Sequence, residues 1–544
     1  MATIDSYNKR LEALSSERTS FMPLWRELSD YHLAYRGRFL MSDRNKGHKR
    51  NTKQLNNTSR LAARTTASGM MSGITSPARP WFRLSSGDKK VDDVAAVKQW
   101  MFDVQNIMYR VFSASNLYNS LHQTYSELGV FGVGVMGVYE DYENVIHCRP
   151  YTVGSYMLGA DDRNLIDTLY REYEITVGQL VKQFGVDKVS LSTRNQWEAG
   201  NTEVWVPVVH VIEPNDDRDM QSPLASEKPW RSVYYEKSEK TPLRESGFDE
   251  FPIMAPRWDI TGEDIYATDC PGITTLGDTK GLQLGERRLY QAVDRLVDPP
   301  LQGPSAMRNK MKGNTPAPGE VIWHDQPESK GLRSIYDGFR PDLNALQLVN
   351  TNAEERIKRG FYEDLFLMLA NSDRRQITAR EVAEKHEEKL LMLGPVLERL
   401  HTELLDPLID RTFNILQRNG VLPVPPPELK DVNVEYVSVL AQAQRLVNTG
   451  AIDRMVEHAG QLASIWPEAR HKIDPNTSID EYADALGVNP AIIRSDRDAD
   501  ARAAAELQAQ QQAQQMEQAK EMMTAASQAS ISPDNVLGAT MENQ

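Results

Sequence analysis

The clearest pattern that could support chemistry is Gly132-Val133-Gly134-Val135-Met136-Gly137, which fits the spacing G-x-G-x-x-G. In dinucleotide-binding proteins this spacing follows a strand and begins a helix, so that backbone N–H groups can hold a pyrophosphate. Here a helical pattern precedes the glycines, and β-branched residues that favour a strand follow them. The sequence therefore favours a glycine-rich strand packed closely against a neighbour. A nucleotide-binding or DNA-processing enzyme is the alternative.

Other short patterns that could support catalysis are incomplete. The segment Lys385-His386-Glu387-Glu388-Lys389 lacks the second histidine of a zinc-binding H-E-x-x-H helix. Asp406 and Asp410 share a helix face, which in a long helix is usually a solvated acidic surface. The chain has neither a G-x-x-x-x-G-K-[ST] phosphate loop nor a G-x-S-x-G nucleophile elbow. We therefore expect no catalytic residues, no metal site, no cofactor and no enzymatic activity.

Composition excludes several other classes of protein. The chain has 544 residues, 40% of them hydrophobic and 25% charged, which is typical of a globular protein with several domains. It lacks a run of 18 apolar residues, and Met1 to Arg10 lacks an apolar core, so we expect neither a membrane span nor a signal peptide. Two cysteines, Cys148 and Cys270, suit a reducing cytosol and argue against a disulfide framework. A net charge of −14 argues against avid nucleic-acid binding, although DNA could still slide past such a protein.

Two helices organise the middle of the chain. Two stretches fit the capping box S/T-x-x-E that begins a helix: Thr351 with Glu354, and Thr378 with Glu381. We expect one helix over residues 351–370 and a much longer one over residues 378–420. Pro395 and Pro407 fall inside the second helix, where each costs about 3 kcal/mol. Because the apolar stripe resumes after both prolines, we predict one continuous but kinked helix.

The loop between those helices is short and polar, and it contains two adjacent arginines. By themselves these residues favour a solvated helix–helix turn. Its residues are Asn371, Ser372, Asp373, Arg374, Arg375 and Gln376.

The first half of the chain combines helices with a strand-rich region, so the predicted class is α+β and predominantly helical. Helices are expected over 3–35, 92–113, 116–128 and 273–297, with another after Thr176 that ends before Gly185. The connections are too short for repeated βαβ units, so we expect antiparallel pairing. The expected strands are Trp81–Leu84, Val135–Tyr139, Ile146–Cys148, Ile166–Ile175, Val204–Ile212 and Val233–Glu236.

Residues 301–350 form a glycine- and proline-rich excursion between two helices of similar length. Two antiparallel helical legs that carry a compact tip are the simplest geometry, with a strand expected at Val321–His324. Basic residues are concentrated in this tip: Arg308, Lys310, Lys312, Lys330 and Arg333.

The C-terminal part changes in composition. A proline-rich linker, Val421–Pro427, precedes a region of short helices over 429–497. Residues 498–530 are rich in Ala, Gln and Met, with high helix propensity and a weak apolar face. We expect a frayed or partly disordered helix, with helical assembly around a symmetry axis as the alternative.

Taken in order, these segments resemble the portal proteins, or head-to-tail connectors, of short-tailed bacteriophages. The resemblance covers most of the chain, from about residue 5 to about residue 500. It is carried by Gly69–Phe82, Gly129–Val138, Phe251–Trp258 and the order helix, excursion, helix, loop, kinked helix over 273–420. The most specific of these segments is Gly69–Phe82, which the sequence predicts to be a tightly packed turn.

The resemblance implies a portal fold assembled as a ring. Its parts would be a wing (1–271), a stem helix (272–300), a clip (301–350), a second stem helix (351–370), a tunnel loop (371–377), a long kinked wing helix (378–420), a linker and helical crown (421–497), and a tail or barrel (498–544).

The resemblance also implies partners and site residues. A homo-oligomeric ring, with twelve subunits expected, would occupy one capsid vertex of the virion after assembly in the host cytoplasm. It would pass double-stranded DNA and contact the terminase large subunit, tail adaptor proteins, major capsid protein and scaffolding protein, without a membrane. The tunnel-loop residues 371–376 would line the DNA channel. The clip residues that would bind adaptors or terminase are Arg308, Lys310, Lys312, Trp323, Lys330 and Arg333. The main alternative to a portal ring is a multidomain structural protein that forms no ring.

Overall fold

The chain is organised in two compact units. The computed structural model describes residues 3–40, 53–78, 80–92, 94–305, 321–324, 331, 333–334, 342–366, 393–429, 454–462, 466, 474–486, 492 and 496–529. The first unit holds the described residues of 1–84 and 104–423, and the second holds those of 85–103 and 424–544. Among these described residues, no helix is long and apolar enough to cross a membrane.

The described elements include both helices and strands, and more residues lie in helices. This agrees with the prediction of a predominantly helical α+β protein. The helices are α1 (Ile4–Tyr31), α2 (Thr58–Ile74), α3 (Lys89–Asp92), α4 (Ala95–Ala114), α5 (Leu117–Phe131), α6 (Val177–Phe184), α7 (Leu191–Glu198), α8 (Pro271–Val297), α9 (Leu343–Gly360), α10 (Gly394–Leu400), α11 (Asp406–Arg418), α12 (Pro475–Leu486) and α13 (Asp496–Ala529). The strands are β1 (Val135–Asp141), β2 (Val145–Tyr151), β3 (Tyr156–Ala160), β4 (Ile166–Thr176), β5 (Trp205–Pro214), β6 (Trp230–Glu236), β7 (Thr241–Phe248), β8 (Ile253–Met254), β9 (Leu301–Pro304), β10 (Val321–His324) and β11 (Arg333–Ser334).

The strand-rich region forms two antiparallel sheets in the first unit. One has five strands in the order β3-β4-β5-β6-β7, and the other has three in the order β2-β1-β8. The predicted antiparallel pairing is therefore confirmed. Sequence reasoning missed β3 and β7, which form the two edges of the larger sheet. Strand β7 stays largely polar, as an edge strand with one neighbour can, so its hydrophobic signal is weak, whereas β3 is a short, mostly buried strand.

Helix α1 covers one face of the larger sheet. Its buried residues Tyr7, Leu11 and Leu14 recur at helical spacing and pack in one core cluster with sheet residues such as Tyr170 and Val209. Helix α6 lies within another cluster, which includes Leu180. The expected cap is confirmed, since the Thr176 hydroxyl accepts a hydrogen bond from the Gln179 N–H.

Two expectations for the segment Gly69–Phe82 are wrong. Residues 69–74 are not a turn, because α2 continues to Ile74. A Cβ on Gly69 would lie 2.3 Å from the Phe366 Cβ, so the glycine serves close packing. Residues 81–84 are also not a strand. Trp81 and Phe82 are buried, and their backbone N–H groups donate to the Tyr109 hydroxyl at 2.6 and 2.8 Å.

The helix expected over 351–370 has different ends. It begins at Leu343 after Asp342, whose carboxylate accepts hydrogen bonds from the N–H groups of Asn344 and Ala345. Thr351 lies inside the helix, where its hydroxyl donates to the Gln347 carbonyl, so it is not the cap. The helix ends at Gly360, because Tyr362 adopts a positive φ of 56° that no helix can continue through. The second proposed cap, Thr378 with Glu381, lies outside the described residues.

The long kinked helix is described only from residue 393. Pro395 lies in the first turn of α10, where its missing N–H group costs little, so the prediction of an interior proline is wrong at this position. At Pro407 the prediction is confirmed, since α10 and α11 continue into each other through a π-helical turn, His401–Leu405. The Asp406 N–H donates to the His401 carbonyl five residues back. This wider turn accommodates the ring of Pro407, which cannot donate to the Glu403 carbonyl.

The described second unit is mainly helical. Asp474 accepts a hydrogen bond from the Asn476 N–H at the start of α12. Helix α13 covers Asp496–Ala529, and all of residues 501–523 are exposed. The helix and its weak apolar face agree with the expectation, whereas fraying and assembly around a symmetry axis stay predictions.

Candidate functional site at the stem and the long helix

Helices α8 and α9 form a close antiparallel pair. Small residues permit this approach, because a Cβ on Gly360 would lie 2.3 Å from the Thr275 Cγ2 and one on Gly285 would lie 2.2 Å from the Asn350 Oδ1. The partner numbers fall as the numbers in α8 rise, so the two helices run in opposite directions. The pairs that mark this contact are Thr275 with Gly360, Asp278 with Arg356, and Gly285 with Asn350. This is the pair of antiparallel legs that the sequence predicted.

The C-terminal half of α8 has no buried residue between Leu284 and Asp298. Tyr290, Val293 and Val297 are nevertheless large and apolar, and their spacing places them on one helix face. Their exposed fractions are 57%, 40% and 73%. The exposed apolar residues of the helix pair, called here the stem surface, are Leu284, Tyr290, Val293, Leu296, Val297, Leu348 and Val349. The two packed helices therefore leave large apolar side chains exposed in the single chain.

Three short strands follow the end of α8. They form a sheet in the order β10-β9-β11, and the strand expected at Val321–His324 is confirmed as β10. Trp323 pairs with Gly303, whereas Arg333 pairs with Gln302 on the other side of β9. Since neighbouring positions of a strand project to opposite faces, Trp323 and Arg333 lie at opposite edges and on opposite faces of this sheet. The other clip residues, Arg308, Lys310, Lys312 and Lys330, lie outside the described residues.

The six tunnel-loop residues also lie outside the described residues. They are Asn371, Ser372, Asp373, Arg374, Arg375 and Gln376. Their role as channel-lining groups stays a prediction. The structure describes the chain up to Phe366 before this loop and from Leu393 after it.

A buried ion pair fixes the π-helical turn to the strand-rich body. The Arg257 guanidinium donates to the Glu403 carboxylate from Nε at 3.0 Å and from Nη2 at 2.5 Å. The backbone N–H of Arg257 donates to the other carboxylate oxygen at 2.8 Å. Arg257 is 2% exposed, and it also donates to the Asn164 carbonyl at 2.6 Å. Both oxygens of Glu403 are therefore engaged, which compensates for burial of the two charges.

A second tie involves Arg411 of α11, which is 1% exposed. Its Nε donates to the Val138 carbonyl at 2.8 Å, and its Nη1 donates to the Glu250 carboxylate at 3.1 Å. Farther along the helix, Arg418 donates to the same Glu250 carboxylate and to Glu140. The described half of the long helix is thus joined to both strands and loops of the first unit.

The sequence analysis did not identify Arg257 and Arg411 as functional residues. A signal was present, because Arg411 lies between the apolar positions Leu408 and Ile415 on one helix face. Arg257 similarly interrupts the apolar run that ends at Trp258. A charged residue at a position that the pattern assigns to the core requires a buried partner.

The glycine motif has the order opposite to a dinucleotide site. Gly132 follows α5 with a positive φ of 79°, and β1 begins at Val135. A Cβ on Gly134 would lie 2.5 Å from the Thr124 carbonyl oxygen. The glycines therefore end a helix and let a strand pack against it, as the sequence favoured, and the nucleotide-binding alternative is not supported.

Two features of the described residues bear on metal binding and acid–base chemistry: the grouping of possible metal ligands, and the carboxyl groups of Asp406 and Asp410. No group of His, Cys, Asp and Glu there is arranged to hold a metal ion. Burial, with a contribution from Asp410, raises the pKa of Asp406 to about 6. Burial also raises the pKa of Asp410, with a contribution from Glu250, so these two carboxyl groups lie on a partly buried face and not on the solvated face that the sequence favoured.

Comparison with known proteins gives a consistent result. The family model described as "Bacteriophage head to tail connecting protein" matches residues 5–493. A protein of Bordetella phage BPP-1, named "Probable portal protein", is 45% identical over 484 residues, which are 88% of this chain and 87% of the relative. The "Portal protein" of Salmonella phage epsilon15 is 44% identical over 500 residues, which are 89% of this chain and 88% of the relative.

Proposed function

Because the chain belongs to the bacteriophage head-to-tail connecting protein family, we propose that it acts as a portal ring at one vertex of the phage capsid. Twelve copies would close around a channel through which double-stranded DNA is packaged and ejected. The protein would be part of the virion, after assembly in the host cytoplasm.

The observation that carries this proposal is the stem surface. Seven large apolar side chains on α8 and α9 are at least 40% exposed in the single chain. A head-to-tail contact with a neighbouring copy would remove them from water, and such contacts form a ring when the rotation between copies closes. The ties of Glu403 and Arg411 would hold the long helix against the body of each subunit.

The charge of the chain suits passage of DNA. With a net charge of −14, the ring would repel the phosphate backbone, and salt confines that repulsion to about 10 Å at 0.1 M ionic strength. We assign Arg374 and Arg375 to the channel, where they would bind phosphates transiently.

The clip would be the contact for other proteins of the particle. Arg308, Lys310, Lys312, Lys330 and Arg333 give the excursion a basic character, and Trp323 adds an aromatic group. The partners expected there are tail adaptors and the terminase large subunit. Major capsid and scaffolding proteins would surround the ring.

Native mass spectrometry of the purified chain, combined with class-averaged electron images, tests the ring. We expect a closed ring of twelve with a central hole. The variant Val293→Glu with Leu348→Glu should shift the protein to monomers, because burying two carboxylates in an apolar contact is unfavourable. The matched control is Leu191→Glu on α7, at a leucine that is 69% exposed, and it should still form rings. Rings of normal size in the double variant would remove the stem surface from the interface.

A further inference from the structure

One row of the five-stranded sheet carries an unusual set of side chains. Arg171 on β4 pairs with His210 on β5, His210 pairs with Tyr234 on β6, and Tyr234 pairs with Arg244 on β7. Directly paired residues of an antiparallel sheet project from the same face, so these four side chains lie side by side. The rings of His210 and Tyr234 stack with their centroids 3.8 Å apart.

Aromatic rings hold three guanidinium groups at this row. Arg149 of β2, in the three-stranded sheet, joins Arg171 and Arg244 through the shared ring of Tyr151, and the three arginines with their tyrosines are called here the arginine–tyrosine cluster. Contact with an aromatic face stabilises a guanidinium without neutralising its charge, and it leaves the N–H groups at the edge available. The distances from guanidinium carbon to ring centroid are 4.2 Å for Arg171 with Tyr173, 4.9 Å for Arg171 with Tyr151, 4.9 Å for Arg244 with Tyr234 and 5.7 Å for Arg149 with Tyr151.

These three arginines lack an acidic partner among the residues that the structure describes. Arg171 is 6% exposed, and its Nε has no hydrogen-bond partner there. Glu236 lies two positions from Tyr234, on the same face of β6, but its carboxylate accepts hydrogen bonds from Ser190 and Thr193 instead. A buried cation without a compensating anion is unfavourable, so the cluster is electrostatically incomplete in the isolated chain.

A buried histidine is affected by all three positive charges. Burial and the positive charges of Arg171, Arg244 and Arg149 lower the pKa of His210 well below its usual value. His210 is therefore neutral at neutral pH, and its Nε2 lies 3.1 Å from the Ser232 hydroxyl. Within the cluster, Arg171 is buried, whereas Arg149 and Arg244 are exposed to solvent.

We propose that the arginine–tyrosine cluster is a binding site for the phosphate group of a nucleotide or of a nucleic-acid backbone. Three guanidinium groups held by the linked aromatic rings of Tyr151, Tyr173 and Tyr234 match a phosphate with one or two negative charges, or two adjacent phosphates, better than they match a single carboxylate. Planar guanidinium edges also suit the paired oxygens of phosphate. The site lies within the first unit and does not depend on ring formation.

Thermal unfolding of the full chain tests the site. Melting temperature would be measured in sodium phosphate, pyrophosphate and chloride at equal ionic strength, for the wild type, for Arg149→Gln with Arg244→Gln, and for Arg163→Gln. Arg163 is an exposed arginine outside the cluster and serves as the control for lost charge. General exclusion of phosphate from protein surfaces raises every melting temperature similarly. Specific binding should add a further shift in the wild type and control that the double variant lacks.

Isothermal titration with pyrophosphate supplies the affinity. We expect at least tenfold weaker binding in the double variant and unchanged binding in Arg163→Gln. The double variant should melt in chloride at the same temperature as the wild type or higher, because repulsion between the arginines is relieved. Lost binding in a variant that melts normally therefore cannot be attributed to misfolding.

Competition with short single- and double-stranded oligonucleotides identifies the source of the phosphate. Displacement of pyrophosphate by an oligonucleotide indicates a nucleic-acid backbone, and displacement by a nucleotide alone indicates a free nucleotide. Either result supports the proposal. Equal phosphate shifts in all three proteins would overturn it, as would binding of polyglutamate without binding of pyrophosphate, which would indicate an acidic protein segment.

Discussion

Arg257 and Glu403 are 146 residues apart in the sequence and form a buried ion pair with three hydrogen bonds. The pair joins the segment after β8 to the π-helical turn that precedes Pro407. This pair therefore holds the first part of the long helix against the strand-rich body, and Arg411 holds the later part.

Arg257→Gln should destabilise the protein strongly. The substitution leaves Glu403 buried without its ion partner, and breaking such a pair typically costs about 3–5 kcal/mol. Urea denaturation monitored by circular dichroism measures the loss. Arg399→Gln is the control, because Arg399 pairs with Asp259 at 3.1 Å in an exposed setting, where a loss of at most about 1 kcal/mol is expected. Equal losses in both variants would contradict a special role for the buried pair.

Gly69→Ala should destabilise the protein by about 1–3 kcal/mol, the usual cost of overpacking. The added Cβ would lie 2.3 Å from the Phe366 Cβ, which belongs to a helical turn and not to a flexible side-chain end. Gly281→Ala in α8 is the matched control, since a Cβ there meets nothing within 4 Å. That substitution should raise stability by about 0.4–1 kcal/mol. The melting temperatures of the two variants should therefore move in opposite directions.

Glu127 should make folding stability depend on pH. Burial raises its pKa to about 7, against the opposing effects of Arg36 and the Val153 N–H. The folded state therefore holds a proton that the unfolded state releases between about pH 4.5 and pH 7, and stability contributed by this group falls as pH rises through that interval. Each unit of pKa difference corresponds to about 1.4 kcal/mol.

Chemical denaturation of the wild type and Glu127→Gln at several pH values measures this effect. The variant has no titrating group at this position, so its stability relative to wild type should increase from pH 5 to pH 8. A constant difference across that range would show that Glu127 keeps one protonation state.

Arg374→Ala with Arg375→Ala should leave rings intact and impair the movement or retention of DNA. The reason is that both guanidinium groups are assigned to the channel and neither to a subunit contact. Electron images of the purified variant test assembly, and the DNA content of particles assembled with it tests packaging and retention. Normal DNA content would remove the channel role, whereas loss of rings would identify these arginines as interface residues.

Local patterns predicted much of the first unit. The polar Thr176 and the Gly185 that follows Phe184 bounded α6 correctly, since a cap and a left-handed glycine act through their immediate neighbours. Antiparallel pairing of the strands and the legs formed by α8 and α9 were also correct. In contrast, the capping box at Thr351 predicts a helix start that the structure places at Asp342, because both residues fit local capping chemistry and only the folded chain selects between them.

The sequence by itself determined the α+β class, the absence of a long apolar span and the resemblance to portal proteins. These properties depend on composition and on periodicity over short distances. Only the tertiary structure explains why position 69 requires glycine. It also decides that the charges of Arg257, Glu403 and Arg411 are buried. The contacts of Arg149, Arg171 and Arg244 with aromatic rings, without an acidic partner, likewise appear only in the folded chain. Those facts depend on contacts between residues far apart in the chain. Their physical cause is that a close approach or a buried charge is acceptable only when its partner is present, and the partner's identity is fixed by the fold.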